Sequence, residues 1–393
     1  IFNDGAMTLT NSTISGNSAG DGGGIFNDGA MTLTNSTISG NSAGDGGGIF
    51  NRGTLNLTNS IIANNNGGDV RGGINSYGTN LVEDGSIDGA LAIDPNLSPL
   101  QDNDGATLTH LPLEGSLAID FGDNTQVPED MTSDQRGEGF NRIVGEAVDL
   151  GAVEVQEEVS QEPTLNVTTT EDGVIGSLRA AIELANFTPG ADTITFDDSL
   201  AGETITLSEG ELVINDPLTI EGLGADNLTI SEGNSRVFGI DDGDEENVID
   251  VSIEGLTITG GDEGGINNQE NFSLTNSTVS GNSGGGIDNG GTLNLTNSTI
   301  SGNSASENSG GIDNDGGTLN LTNSTISGNS ASENSGGIDN GGTLNLTNST
   351  VSGNYASDKG GGISNSGTLN LTNSTVSRNS ASDGGGIYNS ETL

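Results

Sequence analysis

The sequence predicts an all-β chain wound as a right-handed parallel β-helix (a β-solenoid) and organised as two tandem modules. Three observations lead there. A phrase close to "TLNLTNSTISGNS" recurs, its "TNST" asparagine falling at Asn11, Asn35 and Asn59 and again at Asn276, Asn297, Asn323, Asn348 and Asn373. Spacings of 21 to 26 residues belong to stacked repeats. Within one copy, Leu319, Leu321 and Asn323 alternate as in a strand with one face inward, Ile326 follows, and Gly328-Asn329 breaks the pattern at a corner. "GGI-x-N" then places Ile338 and Asn340 on one face of another short strand, giving three strands and three corners per copy. Handedness follows from the right-handed preference of parallel crossovers.

Comparison of copies separates inside from outside. The slot between Ile and Asn reads Phe26, Phe50, Asp288, Asp313, Asp339, Ser364 and Tyr388, so it faces solvent. Its neighbours Ile25, Ile287, Ile312 and Ile363, and Asn27, Asn289, Asn314 and Asn365, do not change. Those asparagines point inward or line a corner, where each amide bonds to its equivalent one coil away at the ~4.8 Å strand spacing. The same laddering is the expected role of the "TNST" asparagines, in preference to glycosylation at the sequons of Asn11, Asn35 and Asn297. One copy cannot bury its few apolar residues; a stack can.

The elements run in this order. Residues 1–155 form the later part of a first module, with regular coils to Asn65 and an irregular stretch from Ile61 to Val155. That stretch contains "DPNLSPLQDNDGAT" (94–107), "GSLAIDFGD" (115–123), "DQRG" (134–137) and "DLGAVE" (149–154). These pieces resemble the carboxy-terminal end of bacterial surface β-helix proteins of the choice-of-anchor Q type, and the resemblance implies that they finish the helix and seal its last coil. Gln156–Pro163, "QEEVSQEP", reads as an acidic linker. Residues 164–393 open a second module. The segment from Thr164 to Leu200 resembles a CSLREA-type start, with Gly176 where the name-giving Cys would stand and Ala180 in place of its Glu. "SLRAAIELAN" (177–186) is amphipathic, with Ser177 as cap and Leu178, Ala181, Ile182 and Ala185 on one side. It is expected to act as a lid over the open helix end. Looser coils follow, then strict repeats from about Asn271. Ile1 and Leu393 both fall inside repeats, so the sequence reads as a piece of a longer chain.

Composition narrows function. The 393 residues include 66 Gly, 7 Pro and no Cys or Trp, and 56 acidic residues against 8 basic ones give a net charge of −48. Such a chain cannot neutralise phosphates, so nucleic acid is not an expected partner, and anionic bilayers would repel it. No apolar run is long enough to span a membrane. A β-helix lyase would use Arg or Lys as base, but the few here sit in the terminal motifs (Arg136, Arg142, Arg179) or singly in outward slots (Arg52, Lys359, Arg378). His110, the lone histidine, reads as an exposed or capping residue, and no catalytic residues or required cofactor are expected. Calcium is the one ion considered: "QDNDGAT" offers Asp102 and Asp104, and "IDDGDEEN" offers Asp241, Asp242 and Asp244 in Gly-containing loops of the oxygen-rich kind calcium prefers. The expectation is therefore an extracellular or cell-surface bacterial protein, structural or adhesive, whose partners are copies of itself, other surface components or polysaccharide. The alternative is a carbohydrate-binding or polysaccharide-degrading β-helix.

Overall fold

The computed structural model describes residues 1–113, 115–145, 147–156, 165–188, 190–244, 247–306 and 309–390. The chain forms two compact units, Ile1–Thr164 and Leu165–Leu393. Residues 157–163 of the expected linker lie outside the described residues.

In the first unit three four-stranded parallel sheets form the sides of a β-solenoid. One holds Phe2–Asn3, Ile25–Asn27, Ile49–Asn51 and Val70–Arg71; the next Ala6–Thr10, Ala30–Thr34, Thr54–Thr58 and Asn75–Tyr77; the third Thr13–Ser15, Thr37–Ser39, Ile61–Ala63 and Leu81–Val82. Equivalent residues face each other across coils, as Ile25 does Ile49 and Leu33 does Leu57. The winding continues one coil past Asn65, because Val70, Leu81 and Val82 still bury apolar side chains without the repeat phrase. Ile25, Leu33, Ile38, Ile49, Leu57 and Ile62 line the core.

The second unit starts with the strand Asn166–Val167 and the helix Leu178–Phe187, one residue offset from the expected span. Ser177 Oγ accepts from Ala180 N at 3.1 Å, and Leu178, Ala181, Ile182 and Ala185 join the core beside Val167, Ile194 and Phe196. Parallel sheets of nine, eight and eight strands follow. At the ~4.8 Å strand spacing the nine-stranded one extends about 40 Å. Leu319, Leu321, Ile326 and Ile338 are buried while Thr318, Asn320 and Asp339 point out, which is the alternation read from the sequence. A fourth, three-stranded sheet (Ser304–Ala305, Ser330–Ala331, Tyr355–Ala356) was not expected. It absorbs the extra residues of the longer coils, so their length leaves the other sides in register.

Two inward asparagine ladders bind coil to coil. In the "GGI-x-N" ladder Asn289, Asn314 and Asn340 each donate Nδ2 to the next Oδ1 at 2.6–2.7 Å. The second ladder is made by the Gly-Asn positions placed at a corner: Asn303, Asn329 and Asn354 donate to Oδ1 of Asn329, Asn354 and Asn379 at 3.0–3.1 Å. Their backbone N–H groups reach the same acceptors. The "TNST" asparagines bear out the expected laddering in part. Asn297 and Asn323 donate Nδ2 to Oδ1 of Asn276 and Asn297, each at 3.3 Å, but on exposed corners at φ of 50–53°. Left-handed backbone, which asparagine tolerates better than other non-glycine residues, therefore acts beside an exposed ladder in fixing their identity. The paired glycines before Ile338 answer to close backbone approach: a Cβ on Gly337 would overlap the carbonyl oxygen of Gly362 in the next coil.

Candidate functional site

The two acidic loops are built differently. Asp102 and Asp104 are exposed, and Asp104 N donates to Asp102 Oδ1 at 3.0 Å, a local turn that draws in no third carboxylate among the described residues. Asp241 and Asp242 instead meet Glu270, delivered by the following coil, with one oxygen from each within 4.8 Å of the others. Ligand distances of about 2.3–2.6 Å around calcium are compatible with that separation. Asp244 is not in the trio; its N–H donates to Asp242 Oδ1 at 2.8 Å. Glu270 is buried, and its two oxygens accept from Asp242 N (3.2 Å) and Ile249 N (3.0 Å). Burial raises the Glu270 carboxyl, whereas the Asp244 N–H and the Asn247 amide lower Asp242. The carboxylates thus already fasten the loop, and an ion would share oxygens with these bonds. Sequence reasoning missed Glu270. Its signal is a break in the repeat: it occupies the slot that is Gly291 and Gly317 in later copies.

A second electrostatic feature is the column of outward slots Asp288, Asp313 and Asp339, paired in register across three strands. These side chains are half-buried rather than freely solvated, because the neighbouring coils shield each slot. Arg236 Nη2 lies 3.7 Å from Asp288 Oδ2. Burial, then repulsion from Asp339, Asp288 and Asp315, pushes Asp313 up to about 7. Asp288 and Asp339 are raised as well, mainly by burial.

The motif residues from 95 to 156 depart from their expected position. They lie along the side of the first unit's coils, across the "TNST" corners and the outer face of the third sheet. Asn11 Nδ2 donates to Ser133 O (2.8 Å), Asn59 exchanges bonds with Asp123 N and O (2.9 and 3.0 Å), and Ala152 N donates to Thr37 Oγ1 (3.0 Å). His110 is buried rather than exposed. It clasps the segment to the coils, with Nδ1 2.8 Å from Ser98 O and Nε2 2.9 Å from Ser15 Oγ.

The segment's own frame is a buried charge cluster formed by the "DQRG" and "DLGAVE" pieces with Arg142 between them. Arg142, 1% exposed, donates to Asp149 O (2.8 Å), Gly151 O (3.1 Å) and Glu154 Oε2 (3.0 Å). Arg136 pairs with Asp134 at 2.7 Å and lies over the Phe140 ring. In the second unit Arg179 pairs with Asp172 at 2.9 Å and ties the helix to the carbonyls of Gly210 and Glu211. Three of the eight basic residues are therefore committed to structure.

No protein-family model matches the chain, and no curated protein is similar to it. Among the described residues, no helix is long and apolar enough to cross a membrane.

Proposed function

We propose that this chain belongs to a secreted or cell-surface bacterial protein of the type its terminal motifs resemble. Its β-helix modules act as structural or adhesive supports rather than as a catalyst. The observation that supports this most is that buried polar side chains are spent on cross-coil bonding. The two asparagine ladders bind each coil to its neighbours, a construction suited to stiffness and extension by repetition. Basic residues that a lyase mechanism could use are locked in ion pairs at Arg136, Arg142 and Arg179. Partners in this reading are copies of the protein or other surface components. Calcium bridges carboxylates, with Asp241, Asp242 and Glu270 as the first place to look; Asp244, Asp102 and Asp104 are weaker candidates.

The alternative, carbohydrate binding, draws on one feature: Phe2, Phe26 and Phe50 stack on the outer face of the first unit with ring centroids 5.5 and 5.1 Å apart. Their faces are turned to one another, so a sugar would meet mainly ring edges. The test combines cell fractionation of the native host with incubation of the purified chain on neutral and acidic polysaccharides. Surface exposure without product release is expected. Release of shortened or unsaturated oligosaccharides would overturn the non-catalytic reading, and saturable glycan binding without cleavage would favour the alternative.

A further inference from the structure

The octapeptide "NSTISGNS" occurs at 11–18 and 35–42 in the first unit and at 297–304 and 323–330 in the second, with different surroundings. In the first unit the 35–42 copy is covered and the 11–18 copy is half-buried over its first five residues. Asn35 and Asn59 are fully buried at their corners, Thr37 and Ser39 are 1% and 3% exposed, and the segment from Asp123 to Ala152 lies over them. In the second unit the corner residues Asn297, Asn323 and Asn348 are exposed, and Thr299, Thr325 and Thr350 are only half-buried. The backbone is the same in both, with left-handed asparagines at φ of 46° and 52–53° and strands in register. Identical sequence in identical conformation presents the same kinds of bonding group. In the second unit Asn323 Nδ2 donates to Asn297 Oδ1 and Asn297 Nδ2 to Asn276 Oδ1, both at 3.3 Å on exposed corners, and an incoming segment would exchange these bonds for its own. The first unit shows what those groups hold.

We propose that the outer face of the Thr-x-Ser strands in the second unit (Thr299–Ser301, Thr325–Ser327, Thr350–Ser352) is a docking site for a further polypeptide segment of the 95–156 type. The recognition chemistry is specific. Corner amides donate to the segment's backbone, as Asn11 does to Ser133 O and Asn59, at the equivalent corner of a related phrase, to Asp123 O. Asn59 Oδ1 also accepts from Asp123 N, while Asn35 Nδ2 instead meets Met131 Sδ at 3.4 Å. A threonine hydroxyl accepts a backbone N–H, as Thr37 does from Ala152. Charge does not select this occupant, since residues 95–156 carry 12 acidic and 2 basic side chains. The internal precedent does: a segment of this composition already lies on the same phrase in the first unit, with its arginines paired internally or turned to an asparagine, as Arg142 Nη1 is to Asn11 Oδ1 at 3.4 Å. The strands presenting the face carry no charged residue, and a second copy's own segment is already engaged.

The chain lacks cysteine, so one introduced thiol reports one position. Thr325→Cys, with Ser352→Cys as a second reporter, is made in the chain as it stands. Each is also made in a version carrying a duplicate of residues 83–156 joined to the carboxyl end by a flexible linker. Alkylation rates are compared with those of Thr37→Cys. The reporters in the unextended chain should react at the rate of an accessible thiol and Thr37→Cys at least tenfold slower. Adding the duplicate segment should slow both reporters at least tenfold at low protein concentration. Unchanged reporter rates in the extended chain would overturn the proposal. Protection that appears in the unextended chain and grows with concentration would assign the face to a second copy instead. Either failure would leave the supporting role proposed above untouched, since that reading rests on the ladders and not on this face.

Discussion

Replacing Asp313 by Asn removes one charge from the middle of the Asp288–Asp313–Asp339 column, and its effect on stability should depend on pH with a definite sign. Cross-strand partners bring these side chains to about 5 Å, where like charges opposite one another destabilise a sheet. Arg236 relieves the Asp288 end and Ser364 bonds Asp339, leaving Asp313 with repulsive neighbours on both sides. A carboxyl pushed up to about 7 in the folded state binds protons that the unfolded chain, titrating near 4, has already released. Between those values the native state holds more protons, so stability is highest at the acid end and falls as pH rises through 7. A difference of that size corresponds to a ceiling of about 4 kcal/mol, and the half-exposed position reduces it by solvent screening to about 1–2 kcal/mol. Asp313→Asn should therefore be more stable than the parent by about that amount at pH 8, with the gap closing toward pH 4.5 and shrinking in high salt. Hydrogen exchange on peptides covering residues 310–342, at several pH values and fixed ionic strength, confines the readout to the coils concerned. Parent and variant following the same pH dependence would refute the argument.

Other substitutions probe the inside, the ladder and the acidic loops. Leu321→Asp puts an unpaired charge at a position 1% exposed and should cost several kcal/mol, whereas Asp339→Ser should be neutral or slightly stabilising; equal effects in thermal melts would reverse the inside-outside assignment. Asn314→Ala strands the Asn289 donor and the Asn340 acceptor and should cost about 2–4 kcal/mol in urea unfolding, against less than about 1 kcal/mol for Asn320→Ala on the outer face. Calcium should raise the melting temperature above that in sodium chloride of matched ionic strength, and Glu270→Gln should reduce the excess if the Asp241–Asp242–Glu270 trio holds the ion. No excess over sodium would mean that the charge is merely solvated.

The solenoid, its inward leucines and isoleucines and the "GGI-x-N" ladder were legible because each side chain repeats its environment once per coil. The second ladder was not, since Asn329 follows a glycine at a break in alternation and its neighbours resemble a turn. Glu270 and the lateral course of residues 95–156 were hidden for another reason. Neither repeats, and the contacts that place the segment join residues 64 to 131 positions apart, as in Asn59 with Asp123 and Asn11 with Arg142.

The "TNST" asparagines carry the more general point. Constancy from copy to copy has two distinct physical causes that a single sequence does not separate. A side chain can be fixed because it is buried against its own equivalent, as Asn314 is, or because its backbone sits where few residues go, as at Asn323. Burial resolves the two: Asn314 is fully enclosed, while Asn323 is exposed with the same degree of repetition. A third state appears at Asn35 and Asn59, where the left-handed corner is also buried because another part of the chain lies on it. The same residue type in the same phrase is thus conformational in one unit and conformational plus adhesive in the other. Repetition predicted the ladder at these positions but not its exposure, and only the surroundings of each copy tell a corner that is merely folded from one that is occupied.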